Sequence, residues 1–188
     1  MPQGPADLHT RASTSADGRA VITRRVHAPA DVVWSVLADG WLYANWVVGA
    51  SRIRDVEPDW PHPGSRLHHS FGVWPALIDD HTQVLDSDPG RTLVLKARGW
   101  PAGEARVRIQ VTANGPDSST IIITEDAIAG PGRLLPRPVR QLLIGPRNTE
   151  TLRRLALIAE GRHRLTQLDP ADGPATGETV TEANRKIR

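Results

Sequence analysis

The strongest constraint on this chain lies between residues 65 and 125, where five strand-like runs follow one another, each ended by its own turn signal. Residues 65–73 stop at Trp74-Pro75, 77–85 at the turn 86–90, 92–99 at 100–103, and 104–112 at 114–117; 119–125 leads into Gly130-Pro131-Gly132. Turn signals recurring roughly every ten residues predict consecutive antiparallel hairpins. Leu93, Leu95 and Ala97 alternate with Thr92, Val94, Lys96 and Arg98, and Val107, Ile109 and Val111 alternate with Arg106, Arg108 and Gln110. One face is dry and the other wet, so the sheet must be covered on one side only.

The cover comes from residues 145–161, GPRNTETLRRLALIAEG. Leu152, Leu155, Ala156 and Ala159 recur at three- and four-residue spacing and form one apolar helical stripe. Pro146 suits a first helical turn, and Gly161 suits a C-terminal stop. Such a helix needs a sheet against which to bury its stripe. Upstream, 21–27 reads as a strand, 29–38 as a helix opened by Pro29, 41–47 as a second short helix, and 51–57 as a strand. Pro136 and Pro138 interrupt the apolar stretch 134–144, which reads as a lead-in with a short helical turn. Residues 1–19 read as a flexible arm and 164–188 as a disordered tail, leaving one domain over 20–163.

Composition narrows the function classes. Twenty-three Lys and Arg against 21 Asp and Glu give a net charge of +2, which directs the chain to neither nucleic acid nor a membrane surface. With no cysteine there is no disulfide framework, thiol nucleophile or cysteine metal site. No secretory h-region opens the sequence, and no run reaches the roughly twenty apolar residues of a membrane span. The expectation is a cytoplasmic protein, monomer or homodimer, without stable membrane insertion.

The order of elements resembles the SRPBCC superfamily, also called START-like or helix-grip proteins. Within it, the chain resembles the bacterial polyketide cyclase/dehydratase and lipid-transport group. The resemblance is carried by VHAPADVVWSVLADG at 26–40, Trp46, FGVWP at 71–75, TEDAIAGPG at 124–132 and RNTETLRRLALIAEG at 147–161. It implies an α+β helix-grip fold: a curved seven-stranded antiparallel sheet around the C-terminal helix, with an apolar cavity between them. It implies no catalytic set that transfers residue by residue.

The candidate lining of that cavity is Trp46, Phe71, Trp74, Leu93, Leu95, Val107, Ile109 and Ile123, with Leu152, Leu155 and Ala156 from the helix. A packed core would use the same residues, because alternation marks only the buried face. For proton transfer the candidates are His69, Asp80, Glu125 and Tyr43. His69 shares parity with Leu67 and Phe71, Asp80 with Thr82 and Val84, and Glu125 with Ile121 and Ile123, which places all three on the inner face. Ordinary salt bridging is the competing reading for the carboxylates. His62, His68, His69 and His81 are close in sequence but lack metal-ligand spacing, so neither a metal nor a cofactor is expected. Arg133, Arg137, Arg140, Arg147, Arg153 and Arg154 read as a solvated helix face rather than an anion funnel. The expected partner is a small hydrophobic ligand, not nucleic acid, held by a carrier or sensor. The alternative is a cyclase/dehydratase-type enzyme using one or two of the inner acid/base groups.

Overall fold

Leu93 pairs with Ile109, Leu95 with Val107 and Ala97 with Ala105 across two neighbouring strands, which sets the register of the dry face. In the computed structural model, residues 9–15, 19–73, 76–99, 103–130 and 137–168 are described. The elements are β1 (Thr10–Thr14), β2 (Ala20–Val26), α1 (Ala30–Leu37), a 3-10 turn (Gly40–Leu42), α2 (Tyr43–Trp46), β3 (Ala50–Val56), β4 (Arg66–Val73), β5 (Ala76–Asp88), β6 (Thr92–Gly99), β7 (Gly103–Gly115), β8 (Ser118–Ala129) and α3 (Arg137–Leu168). The strands form one antiparallel sheet in the order β1-β2-β8-β7-β6-β5-β4-β3. Both short helices and α3 lie on its concave side, and the apolar stripe of α3 is fully buried there: Leu152, Leu155, Ala156 and Ala159 are all 0 % exposed. This is an α+β helix-grip architecture.

The sheet has eight strands rather than the expected seven. The extra strand is β1, within residues read as a flexible arm, and it pairs along β2 from Thr10↔Arg24 to Thr14↔Ala20. Its sequence TRAST is almost wholly exposed, so it shows no apolar alternation. Backbone pairing and the Arg24 Nη1 bond to Thr10 Oγ1 at 2.6 Å hold this edge strand, and neither leaves a trace in a hydrophobic pattern.

α3 also exceeds its expected bounds, running through both Pro146 and Gly161. Around the proline, the Thr149 hydroxyl donates to the Gly145 carbonyl at 2.9 Å. Gly161 keeps helical geometry because tertiary contacts hold the turns beyond it. Arg162 pairs with Asp39 at 3.0 Å and His163 with Asp117 at 3.1 Å. Packing outweighs the local preference for a stop. β5 likewise continues to Asp88, past the expected turn, through a register shift between Val84 and Asp86.

Candidate functional site

Three rows of inward-facing side chains cross the sheet, and their size falls from one end to the other. The first is Leu93, Ile109, Ile123 and Ile22; the second is Val84, Leu95, Val107 and Glu125; the third is Thr82, Ala97 and Ala105. The first row is almost completely buried. At the third, Ala97 and Ala105 are only half-buried, as are the inner residues Phe71, Ile78 and Asp80 nearby. Exposure on the inner face means that solvent reaches the concave side at this end of the strands.

Polar groups gather there. α2 presents Tyr43, and its hydroxyl lies 3.0 Å from Thr82 Oγ1 on β5. His69 Nε2, from β4, lies 3.1 Å from the same oxygen. The Tyr43 ring packs against His69 at 5.4 Å and edge-on against Trp46 at 5.1 Å and Trp60 at 6.4 Å. All of these side chains are buried. Burial pushes the Tyr43 phenol up to about 12, so it stays protonated through neutral pH. Burial lowers the His69 pKa, and a weak contact with the Ser70 backbone opposes that shift. His69 is therefore neutral at pH 7. Among the described residues, His69 Nδ1 and Trp46 Nε1 are buried without a partner in hydrogen-bond geometry.

A second cluster joins β8 to α3. Glu125 Oε2 accepts from Arg147 Nη2 and, at 3.0 Å, from Asn148 Nδ2. One turn further on, Thr151 Oγ1 accepts from the Val48 N–H at 3.3 Å, tying α3 to the segment after α2. Arg147, Glu125 and Asp80 all lie within electrostatic reach of Tyr43, so the two clusters belong to one interior.

The inner face therefore brings together Tyr43, His69 and Glu125 from the candidate acid/base set. Asp80 shares their face, but its Oδ1 turns back to accept from the His81 N–H at 2.7 Å. Of the candidate lining, Trp46, Leu93, Leu95, Val107, Ile109, Ile123, Leu152, Leu155 and Ala156 are buried, and Phe71 is half-buried against Gly49. Gly49 has φ 101°, and a Cβ there would lie 2.3 Å from the Phe71 ring. Trp74 lies outside the described residues. Sequence reasoning missed Thr82, Asn148 and Thr151. Thr82 shared the inner parity of Asp80, but its contact with Tyr43 spans 39 positions and has no sequence signal. Among the described residues, no three metal-ligating side chains come together. No described helix is long and apolar enough to cross a membrane.

A family described as polyketide cyclase/dehydrase and lipid transport matches residues 18–160. The chain belongs to this family. Solved structures share its fold. The Zhui aromatase/cyclase from Streptomyces sp. R1128 is 18% identical with a TM-score of 0.55, over 85% of this chain and 96% of that one. A START superfamily protein from Mycobacterium smegmatis is 20% identical with a TM-score of 0.53, over 78% and 97%. A protein from Rhodobacter sphaeroides is 14% identical with a TM-score of 0.61, over 81% and 99%. At these identities the likeness is one of fold. A comparison with curated proteins found no match. Polyketide cyclase/dehydrase family membership fits a hydrophobic ligand-binding protein.

Proposed function

We propose that this protein binds a small hydrophobic molecule, such as a lipid or polyketide, inside the concave sheet, as a carrier or sensor. The observation that carries the reading is the fall in side-chain size across the three inner rows. Large, fully buried residues fill the first row, whereas Ala97 and Ala105 at the other end are small and only half-buried. Apolar walls with a few convergent polar groups are what a small-molecule site requires. The lining we assign is Phe71, Ala97 and Ala105, with Tyr43, His69 and Glu125 as its polar members. The fully buried Leu93, Ile109 and Ile123 form the closed end. Native mass spectrometry of the purified protein tests this. A small apolar adduct that is lost on organic extraction supports it, and a bare chain that takes up no apolar compound contradicts it.

One observation favours an enzymatic second reading. His69 is neutral, buried and hydrogen-bonded through Thr82 to a phenol whose pKa is raised. Such a chain can hold or pass a proton beside a bound substrate. Turnover of an enolisable substrate that falls at least a hundredfold in His69→Gln, with binding retained, would favour the cyclase/dehydratase reading over carriage.

A further inference from the structure

Arg147 differs from Arg153, Arg154 and Arg162 of α3. Arg153 and Arg154 both pair with Glu150, at 2.7 and 2.8 Å, and Arg162 pairs with Asp39. In those pairs both partners are partly exposed. The partner of Arg147 is instead a carboxylate whose side chain is only 5 % exposed, while the Arg147 side chain is 37 % exposed. The guanidinium thus straddles the boundary between the buried interior and solvent. Its contacts with Glu125 and Asn148 both use Nη2. A guanidinium carries five N–H donors. Among the described residues, Nε and Nη1 of Arg147 make no hydrogen bond.

Glu125 fixes the orientation of this side chain from below. Asn148 donates to the same carboxylate oxygen, so Arg147 shares the neutralisation of Glu125 with a second donor. A ligand oxygen arriving from solvent meets Arg147 before Glu125, because the arginine side chain is the more exposed of the two. Charge-assisted bonds to such a donor are about twice as strong as neutral ones.

We propose that Arg147 is the group that recognises the polar end of the ligand, and that this end is a carboxylate. The inference rests on the reading that the interior binds an apolar body; it adds the head group. Arg147 is a binding residue, and Glu125 and Asn148 are its positioning residues.

The probes are two matched sets: hexadecanoate, hexadecanol and hexadecylamine, and 1-pyrenecarboxylate, 1-pyrenemethanol and 1-pyrenemethylamine. Calorimetry gives dissociation constants for the wild type, for Arg147→Lys, and for Arg147→Met combined with Glu125→Gln. The double variant removes both charges, so no buried carboxylate is left unpaired. In the wild type, the carboxylate of at least one set should bind at least tenfold tighter than its alcohol, and the amine weakest. In the double variant this ratio of acid to alcohol affinity should fall below threefold, and Arg147→Lys should restore part of it. A ratio that survives in the double variant, or acid and alcohol binding alike in the wild type, overturns the assignment to Arg147 while leaving interior binding intact. Failure of both sets together with a broad panel of neutral apolar compounds overturns both readings. A double variant that does not fold leaves the decision to the wild-type ratios, where a carboxylate that binds no tighter than its alcohol in either set rejects the proposal.

Discussion

Tyr43 and His69 are joined through one atom. Thr82 Oγ1 lies 3.0 Å from the phenol oxygen and 3.1 Å from His69 Nε2, and the Tyr43 and His69 rings are 5.4 Å apart. Counting protons gives the chain a direction. Tyr43 O–H donating to Thr82, and Thr82 donating to Nε2, uses every hydroxyl hydrogen. The reverse order leaves the buried phenol hydrogen without an acceptor, whereas the Nδ1 hydrogen of the first order faces the Ser70 backbone, the contact that opposes the lowering of the His69 pKa. His69 is therefore assigned as the neutral Nδ1–H tautomer, an assignment made from the hydrogen-bond network.

Tyr43 is the only tyrosine in the sequence, so its ionisation can be followed without interference from another phenol. Absorbance at the phenolate band should titrate near 12 in the folded protein and near 10 in denaturant, because burial disfavours the phenolate. The stability from keeping the phenol neutral is fully present below pH 10 and is lost as pH rises towards 12. A native midpoint near 10 would show that Tyr43 is not buried beside Thr82.

His69 governs the acid side. Its folded pKa is below the usual 6.5, so the unfolded chain takes up its proton first on acidification. The corresponding stability is present above pH 6.5 and is lost as pH falls below it, with a slope of up to about 1.4 kcal/mol per pH unit. His69→Gln should flatten urea-derived stability between pH 6.5 and 5. A residual slope should remain, because burial and then Arg98 lower His81 in the same direction. An unchanged slope in the variant would place the titration elsewhere. Nitrogen NMR shifts should report the Nδ1–H form of His69, and the Nε2–H form would reverse the proton order above.

Leu155 lies at 0 % exposure between α3 and the sheet. Leu155→Ala should cost about 2–5 kcal/mol, and Leu155→Asp should prevent stable folding by burying an unpaired charge. Melting of the aspartate variant within a couple of degrees of wild type would contradict the helix face assigned here.

Deleting residues 1–17 removes β1 and unpairs the β2 edge. Because β1 is exposed, the loss should be modest, on the order of 1–2 kcal/mol, read as a fall of roughly 2–8 °C in Tm. No change in Tm would mean that β1 contributes nothing to the fold in solution.

Features buried on one face were legible in the sequence, and features held by backbone or by distant partners were not. Leu93, Val107 and Leu152 reveal their faces because burying apolar area imposes a period of two or 3.6 on the chain. β1 carries no such period, since its pairing groups are the N–H and C=O that every residue has. Pro146 and Gly161 signalled helix ends, yet α3 runs through both, because the contacts of Arg162 and His163 with Asp39 and Asp117 were not legible. At the site, parity placed His69 and Glu125 inward, but no local rule links Glu125 to Arg147 across 22 positions. The arginine run read as one solvated face, and only the three-dimensional pairing separates Arg147 from it.

The central claim is that the open end of the concave face holds an apolar ligand, and thermal shift across a panel of fatty acids, sterols and polycyclic aromatics tests it most directly. A ligand that binds only the native state at one hundred times its dissociation constant adds about 2.7 kcal/mol. For a chain of this size that raises Tm by roughly 5–10 °C. The account predicts such a shift for members of this panel and none for sugars or nucleotides. It also predicts that Ala97→Trp, which fills the small-residue row, keeps the fold and loses the shift. No shift from any apolar compound at saturation, or a full response from the tryptophan variant, would contradict it.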